Sequence, residues 1–270
     1  MFLAGVVQLT CTSNSQANWE MAKTLIDRAA TYGARFLATP ENTNFLGLHG
    51  EKVKIAEPID GPTIGRFAEL ARKHQLHLLI GSFNEKSDEA HRCYNTSVLL
   101  GPDGDILGTY RKIHLFDVNI SPEVRFLESD TCKPGTDPVV VRTALGTIGL
   151  SICYDLRFPE LYQRLVDKGA EILTVPSAFT LTTGKDHWHP LLRARAIENQ
   201  AYVLAPGQSG KHDDGGLRNS YGHSLIIDPW GTVIAESSDG PGLALAEINL
   251  DRVRETRKGM PISEHRRLNA

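Results

Sequence analysis

Three side chains of complementary chemistry end apolar segments that lie far apart in the sequence. Glu41 ends "FLATPE", Lys112 ends "LGTYRK" and Cys153 ends "IGLSIC". A thiol can attack a carbonyl carbon, a carboxylate can remove the thiol proton, and an ammonium can stabilise the negative charge that develops. If each segment is a strand, all three residues lie at carboxyl ends of strands, where the sites of α/β sheets gather. They are therefore candidates for one catalytic cluster.

Each of these residues also has a plainer interpretation. Free cysteine is among the most buried residue types, so Cys153 alone would be read as a core residue. Glu41 could be a solvated loop carboxylate, and Lys112 could pair with a surface acid. The surroundings of Cys153 favour a reactive thiol, because Arg157 follows it and Pro159 begins a helix. A helix N-terminus and cationic neighbours lower a thiol pKa, so we expect a lowered pKa for Cys153.

The histidines offer a second enzymatic interpretation. A Cys–His hydrolase or transferase would use His114, His187 or His223 as the base for Cys153, and the spacing singles out none of them. The "HWH" at 187–189 suggests a metal site, but no third ligand stands at a suitable spacing. No phosphate-binding glycine motif occurs. The sequence therefore predicts neither a metal nor a cofactor.

Short apolar runs alternate with amphipathic segments, which predicts an α/β protein. Ser13 is expected to cap the first helix, with Gln16 completing a capping box and Gly33 ending the helix. "DHWHPLLRARAIENQA" predicts a later helix, and "YGHSLIIDPWGTVIAESSDGPGLALAEINL" predicts a three-stranded meander. Residues 113–136 predict a long polar loop, which is uncommon in a compact domain.

The two halves of the chain resemble one another. Three pairs of segments align in chain order, namely "FLATP" (36–40) with "ILTVP" (172–176), "LLIG" (78–81) with "VLAP" (203–206), and "SVLLGPDGDIL" (97–107) with "SLIIDPWGTVI" (224–234). The alignment predicts two related sheets packed face to face with helices outside, a four-layer α-β-β-α sandwich. No linker interrupts the chain, so we expect a single domain over residues 1–270.

Composition excludes several classes of protein. The 270 residues include 41% hydrophobic and 23% charged side chains, and the net charge of -3 argues against nucleic acid or an anionic membrane as partner. The start carries no basic leader, and no apolar stretch approaches the roughly 20 residues of a spanning helix. The four cysteines lack CxxC spacing, which is typical of the reducing cytoplasm. We therefore expect a cytoplasmic protein.

The motifs around the three candidate residues resemble those of the nitrilase superfamily of carbon–nitrogen hydrolases. "PEN" contains Glu41, "YRKIHLFD" contains Lys112 and "CYDLRFPEL" contains Cys153. The resemblance runs over nearly the whole chain and includes "PSAFTLTTGKDHW" and "SYGHSLIIDPWGTV". "LLRARAIE" and "GQSGKH" resemble the branch that hydrolyses deaminated glutathione, whereas "TLTTG" resembles the neighbouring omega-amidase branch.

This resemblance implies an amidase. Its expected reaction is hydrolysis of the terminal carboxamide of a small amide carrying an α-keto acid group, with release of ammonia through a cysteine thioester. Deaminated glutathione is the expected substrate, with α-ketoglutaramate as the alternative. The resemblance makes Cys153 the nucleophile, Glu41 the general base, and Lys112 with the Tyr154 backbone N–H the oxyanion donors. It also makes Glu128, within the predicted loop, a supporting acid that holds Lys112 or orients the substrate.

The resemblance extends to the substrate pocket. Arg157, Phe179 and Thr183 match positions that line it in relatives. A guanidinium can bind the carboxylate of an α-keto acid through two hydrogen bonds. The alternative for Arg157 is an ion pair with Asp155 or Glu160 near the helix start.

Two expectations concern the protein as a whole. Family members commonly dimerise, so the resemblance implies a homodimer. A non-catalytic nitrilase-like binding module is the alternative outside the enzymes. The intact set of Glu41, Lys112 and Cys153 argues against that alternative.

Overall fold

The computed structural model describes residues 1–121, 124–216 and 218–268, without the side chains of residues 120, 121, 124 and 125. The strands of the first half are β1 (Phe2–Gln8), β2 (Ala34–Ala38), β3 (His77–Lys86), β4 (Cys93–Leu100), β5 (Ile106–Arg111), β6 (Asp117–Ser121), β7 (Val124–Leu127) and β8 (Cys132–Lys133). Those of the second half are β9 (Val140–Thr143), β10 (Gly146–Leu150), β11 (Ile172–Thr174), β12 (Tyr202–Ala205), β13 (Ser209–Lys211), β14 (Asn219–Tyr221), β15 (Leu225–Ile227), β16 (Val233–Glu236) and β17 (Gly242–Ile248). The α-helices are α1 (Ser15–Thr31), α2 (Glu51–Lys54), α3 (Pro62–His74), α4 (Pro159–Asp167), α5 (Leu181–Asn199), α6 (Leu250–Gly259) and α7 (Ile262–His265), and short 3₁₀ helices span Glu128–Asp130 and Cys153–Arg157.

Two large sheets share one topology. The first has the order β17-β1-β2-β3-β4-β5, with β8 paired to β4, and the second has the order β9-β10-β11-β12-β15-β16. In each sheet three parallel strands are flanked by antiparallel strands. The aligned sequence segments fall in equivalent strands: β2 matches β11, β3 matches β12, and the β4–β5 hairpin matches β15–β16. The predicted relationship between the halves is therefore confirmed by strand order.

The sheets and helices form the predicted four layers. Alternate residues of a strand face opposite sides of a sheet. Val6 and Phe36 of the first sheet share a core cluster with buried residues of the second sheet. Val7 and Leu37 face the other way and cluster with apolar residues of α1 and α3. Helices α4 and α5 contact β10 and β12 of the second sheet. In the described ranges, no helix has both the length and the apolar character that a membrane span requires.

The predicted three-stranded meander is wrong in its last strand. β15 pairs with β16, but β17 crosses to the first sheet and pairs antiparallel with β1, from Phe2 opposite Ile248 to Gln8 opposite Gly242. Without β17, β1 would be an edge strand with unpaired backbone groups. Period-two alternation identifies a strand but does not say which sheet it joins, so the sequence could not separate these possibilities.

The first helix is capped by a different residue from the one predicted. Asn14 is the N-cap, and its side-chain oxygen accepts a 3.0 Å hydrogen bond from the Ala17 N–H. Ser13 instead donates its hydroxyl hydrogen to Asp213. The expected end of the helix is confirmed, because Gly33 has φ of 83° directly after the C-cap.

The segment predicted as a long polar loop contains regular structure. Within residues 113–136, β6 and β7 form a hairpin, a 3₁₀ helix begins at Glu128, and β8 pairs with β4. The elements are only two to five residues long, so neither helical nor strand periodicity is detectable there. The prediction of a plain loop is wrong.

Helix α5 begins at Leu181, five residues before the predicted start. Its first turn contains Gly184, which sequence reasoning treats as a helix breaker. A Cβ atom at this position would lie 2.3 Å from the Cβ of Tyr221, so only glycine lets this turn approach β14. Close packing, which the sequence does not reveal, overrides the poor propensity.

Candidate active site

Lys112 lies between two carboxylates at the end of β5. Its Nζ donates hydrogen bonds of 2.9 Å to Glu41 Oε1 and 2.8 Å to Glu128 Oε2, and all three side chains are buried. The Lys112 backbone is fixed on both sides, because its N–H donates to Asn95 O and its carbonyl accepts from the Gly135 N–H. These two backbone hydrogen bonds, one to β4 and one to Gly135, fix the position from which the ammonium extends.

Cys153 occupies a strained position next to the second sheet. β10 ends at Leu150, and Cys153 begins the 3₁₀ helix rather than ending a strand as predicted. Its φ is 49°, in the left-handed region that non-glycine residues rarely adopt, and its N–H donates a 2.9 Å bond to Pro176 O. This hydrogen bond ties Cys153 to the segment that follows β11.

Both carboxylate oxygens of Glu41 accept hydrogen bonds from the protein. Oε2 accepts a 2.8 Å hydrogen bond from the Ala178 N–H, and Oε1 accepts from Lys112 and from Asn95 Nδ2. The Glu41 carbonyl oxygen also accepts from Gln208 Nε2 at 2.9 Å. Donors from both halves of the molecule thus hold one carboxylate.

Asn95 is a site residue that sequence reasoning missed. Its Nδ2 donates to Glu41 Oε1 at 2.9 Å and to Glu128 Oε1 at 3.1 Å, so one amide orients both acids. The available signal was the polar run of Asn95, Thr96 and Ser97 inside the otherwise apolar strand β4. Buried polar groups in a strand require partners, and for Asn95 the partners are the two site glutamates.

The carboxylates decide the charge of the lysine. Burial alone would lower the pKa of Lys112, but the charges of Glu128 and Glu41 outweigh it and hold that pKa well above its usual value. Burial works against ionisation of Glu128 as well, yet Lys112 and the nearby Lys52 keep the Glu128 pKa below its usual value. At neutral pH the Lys112 ammonium is therefore a fixed positive charge beside an ionised Glu128.

The expected lowering of the Cys153 pKa is wrong. Burial is the largest influence and raises the pKa of the thiol well above its ordinary value, and the negative charge of Glu41 raises it further. Lys112 opposes these effects without cancelling them. The resting thiol is protonated, so it needs a base at the moment of attack.

Tyr154 presents a free backbone donor beside the thiol. It is the second residue of the 3₁₀ helix, where an N–H has no partner within the helix. Among the described residues, no atom accepts a hydrogen bond from the Tyr154 N–H, whereas Ile152 donates to Asp155 and Cys153 donates to Pro176. This N–H is geometrically available to an oxygen bound near Cys153.

All eight residues predicted for the site line one cavity. They are Glu41, Lys112, Glu128, Cys153, Tyr154, Arg157, Phe179 and Thr183. The cavity is also lined by residues that were not predicted: Asn42, Lys52, Phe116, Phe126, Ala178, Thr180 and Arg218. Nothing local in the sequence distinguished these, because they come from six separate segments.

Arg157 does not form the ion pair that was its alternative interpretation. Among the described residues it pairs with neither Asp155 nor Glu160, and its guanidinium contacts His187 Nδ1 at 3.3 Å and packs over the Phe179 ring. Asp155 is fully buried and accepts hydrogen bonds from Tyr110, His114 and Ile152 instead. The guanidinium is therefore left facing the cavity without an acid.

The histidines proposed for a Cys–His enzyme have other partners. His114 contacts Asp155 and stacks on Phe158, His187 contacts Arg157, and His223 contacts Glu236. None of the three lines the cavity, which contradicts the Cys–His interpretation. Over the described part of the chain, no group of three or more potential ligands is placed to hold a metal ion.

The fold and site point to the class of carbon–nitrogen hydrolases, and comparison with known proteins agrees. The family model described as carbon-nitrogen hydrolase matches residues 3–258. The deaminated glutathione amidase of Synechocystis sp. (strain PCC 6803 / GT-S) is 45% identical, with 98% of each chain covered. The deaminated glutathione amidase of Mus musculus is 44% identical, covering 98% of this chain and 83% of the mouse protein.

Structural comparison gives the same answer. The crystal structure of the C. elegans NitFhit protein superposes with a TM-score of 0.93 and 42% identity over 98% of this chain, which spans 65% of the NitFhit chain. The chain belongs to the carbon–nitrogen hydrolase family. The predicted family and the prediction of a hydrolytic enzyme are confirmed.

Proposed function

We propose that the protein hydrolyses the amide bond of deaminated glutathione, with Cys153 as nucleophile, Glu41 as general base and Lys112 as oxyanion donor. The observation that carries the proposal is the convergence of a buried thiol, carboxylate and ammonium on one cavity. The substrate is the one in the names of the relatives that match the chain over nearly its whole length.

The first step is attack by the Cys153 sulfur. The raised pKa keeps the thiol protonated at rest, and Glu41 lies beside it as the acceptor for the proton. Transfer of the proton to Glu41 frees an electron pair on sulfur, which forms a bond to the amide carbon. Hydrogen bonds from Ala178 and Asn95 hold the Glu41 carboxylate in one orientation, so the base is preorganised for this transfer.

The carbonyl oxygen gains the negative charge. Lys112 and Tyr154 both line the cavity, and the Lys112 ammonium and the Tyr154 N–H supply the two donors for this oxyanion in the proposed scheme. Removing one donor of such a pair typically costs about 3 kcal/mol of transition-state stabilisation. Because Lys112 is already fixed by two carboxylates, little reorganisation accompanies the charge transfer.

Collapse of the intermediate breaks the carbon–nitrogen bond. Protonated Glu41 returns its proton to the departing nitrogen, and a thioester remains on Cys153. Glu41 then removes a proton from water, which attacks the thioester and releases the acid and the thiol. The amide of deaminated glutathione is secondary, so the leaving amine is cysteinylglycine. The expected terminal carboxamide and release of ammonia are therefore wrong for this substrate and apply only to an unsubstituted carboxamide such as α-ketoglutaramate.

Glu128 serves as a positioning residue in this scheme. It holds Lys112 Nζ at 2.8 Å, and it also accepts a hydrogen bond from the Phe116 N–H. Glu41, not Glu128, is the carboxylate that interacts with the Cys153 thiol. Glu128 is therefore suited to hold the ammonium in place, not to exchange protons.

Arg157 is proposed to bind the α-keto acid carboxylate of the substrate. Its guanidinium lies over the Phe179 ring, and the cavity wall continues with Thr183, whose hydroxyl bonds to that of Thr180 at 2.8 Å. A planar guanidinium beside an aromatic wall fits a flat keto acid group.

We also propose that the enzyme is a cytoplasmic homodimer. Ile197 of α5 lies against Gly231 and is 42% exposed, and Trp230, which precedes Gly231, is 62% exposed. Exposed apolar side chains grouped in this way are typical of an interface. All four cysteines are free, in keeping with a reducing compartment. Light scattering after size exclusion should give twice the 29.7 kDa chain mass, and a monomer at micromolar concentration would refute the dimer.

The direct test is an assay of the purified protein with deaminated glutathione, α-ketoglutaramate and a nitrile. Of the three substrates, deaminated glutathione should be hydrolysed fastest, as measured by release of cysteinylglycine. Cys153→Ala should abolish this release, while circular dichroism shows an unchanged fold. Hydrolysis of α-ketoglutaramate alone would instead identify an omega-amidase. Full activity of the Cys153→Ala variant would exclude the thioester route.

A further inference from the structure

Lys52 is a buried cation that nothing in the proposed mechanism uses. Lys52 lies on the short helix α2 and is only 2% exposed. It lines the same cavity as Cys153. Among the described residues, its ammonium has no hydrogen-bond acceptor and no ion-pair partner. A buried charge without a partner is unfavourable, so this position is suited to an anion that arrives with the substrate.

Two of the other cavity-lining cations, Lys112 and Arg218, do have carboxylate partners. Lys112 is matched by two carboxylates. Arg218 Nε bonds to Asp214 at 2.6 Å, and its Nη2 donates to Gly47 O. Arg157 and Lys52 are the two cavity-lining cations that, within the described ranges, lack a carboxylate partner. The cavity therefore has two unmatched positive charges.

The two unmatched cations come from different halves of the fold. Arg157 follows the second sheet and lies against Tyr154 and Phe179. Lys52 belongs to α2, in the first half, and its charge acts on Glu128 without forming an ion pair with it. A substrate amide has an acyl part and an amine part on the two sides of the reacting carbon, and the two cations belong to different parts of the cavity wall, Lys52 near Glu128 and Arg157 against Tyr154 and Phe179.

We propose that Lys52 binds a second carboxylate of the substrate, carried by the leaving amine, while Arg157 binds the carboxylate of the acyl part. The inference rests on the proposed function, because deaminated glutathione has one carboxylate in its α-keto acid group and another on its terminal glycine. α-Ketoglutaramate has only the first. Lys52 is thus the residue that distinguishes an amide with an anionic leaving group from a simple carboxamide.

The test compares two substrates that share the acyl part and the scissile amide. One is deaminated glutathione, and the other is its analogue with the terminal glycine carboxylate converted to a carboxamide. For the wild-type enzyme, kcat/KM should be higher with the carboxylate. Lys52→Met should lower kcat/KM for deaminated glutathione by about 10- to 100-fold, mainly through KM, and change that for the analogue by less than about threefold.

Two variants serve as controls. Lys54→Met removes an exposed lysine from the same helix and should leave kcat/KM for both substrates unchanged. Lys52→Arg keeps the charge and should recover much of the preference for the carboxylate, which a purely structural role of Lys52 would not produce. Thermal unfolding checks that each variant is folded.

The outcomes separate the two proposals. Suppose that the wild-type enzyme hydrolyses deaminated glutathione but Lys52→Met lowers kcat/KM equally for both substrates. Lys52 then acts only through Glu128 or the fold, and the inference is overturned while the proposed function stands. If wild-type enzyme hydrolyses α-ketoglutaramate but not deaminated glutathione, the proposed function fails, and the anionic anchor fails with it.

Discussion

Tyr110 donates a 2.7 Å hydrogen bond from its hydroxyl to Asp155 Oδ2 and so joins the two halves of the molecule beside the thiol. Tyr110 lies on β5 of the first sheet, and Asp155 lies in the 3₁₀ helix that begins at Cys153. Asp155 also accepts from the Ile152 and His114 N–H groups. This buried acid therefore fixes the turn that carries the nucleophile relative to the sheet that carries the lysine.

Tyr110→Phe should lower both stability and activity. The change leaves a buried carboxylate oxygen without one of its donors, which typically costs about 1–3 kcal/mol of unfolding free energy. Because the turn at Cys153 loses its tie to β5, kcat should fall by about tenfold. Urea denaturation and steady-state kinetics measure the two effects.

Tyr162→Phe is the matched control for that change. It removes another buried hydroxyl, which bonds to Ser151 at 2.8 Å, and leaves the contacts of Asp155 intact. It should cost stability with a smaller effect on kcat. If both variants lowered kcat equally, the hydroxyl of Tyr110 would have no special part in placing Cys153.

Glu128→Gln should shift the pH dependence of the reaction. Glu128 is the larger of the two carboxylate influences that raise the Lys112 pKa, so its neutralisation lowers that pKa. Loss of the ammonium then begins at lower pH, and the basic limb of the kcat profile should move toward neutrality. We expect kcat at neutral pH to fall by about a hundredfold, because the donor to the oxyanion is no longer held.

The control for Glu128 is Glu85→Gln. Glu85 is also buried and ion-paired, but its partner is Arg111 and it does not line the cavity. Its neutralisation should affect stability and leave the pH profile in place. An unchanged basic limb in Glu128→Gln would show that Lys112 does not depend on this acid.

Glu41→Gln should make the Cys153 thiol react faster with an alkylating reagent and yet slow amide hydrolysis. Glu41 removes the thiol proton during attack in the proposed mechanism, so amide hydrolysis should fall by at least about a thousandfold. The same negative charge raises the pKa of Cys153, so its removal lowers that pKa and increases the thiolate fraction. Alkylation of Cys153 by iodoacetamide at pH 8 should therefore become faster, as followed by mass spectrometry.

Cys153→Ala identifies the labelled site in that experiment, since Cys11, Cys93 and Cys132 do not line the cavity. Slower alkylation of Glu41→Gln than of the wild-type protein would mean that Glu41 activates the thiol before substrate binds. The raised pKa of Cys153 would then not describe the resting enzyme.

Acid should destabilise the protein partly through His49. Burial, followed by the charges of Lys52 and Arg218, lowers the His49 pKa from 6.5 to about 3. The unfolded chain binds a proton below pH 6.5 that the folded chain does not, so this contribution to stability is lost as the pH falls from 6.5 toward 3. After allowance for partial exposure, His49 should contribute about 1 kcal/mol per pH unit or less.

The measurement is urea denaturation at several pH values. His49→Gln should flatten the decrease in unfolding free energy below pH 6.5, whereas His91→Gln should not, because the His91 side chain is 74% exposed. Equal slopes for wild-type protein and His49→Gln would assign the acid sensitivity to other groups.

Much of the architecture followed from local patterns in the chain. The repeated segments predicted two equivalent sheets because strand order depends on the succession of apolar runs and turns, which both halves share. Glu41, Lys112 and Cys153 were identifiable because each follows a strand whose direction brings its end to one edge. Motifs matching a known family then assigned their chemistry.

Only the tertiary structure shows which groups from distant parts of the sequence meet after folding. Lys52 and Arg218 reach the cavity from unrelated segments, and Asn95 reaches Glu41 and Glu128 from β4. β17 joins the first sheet because β1 needs a partner there. The protonation of Cys153 was predicted with the wrong sign, since local sequence showed a helix start but not the burial that raises the pKa. Side-chain periodicity and turn residues are local properties that a sequence displays. Burial and charge pairing depend on distant residues brought together by the fold.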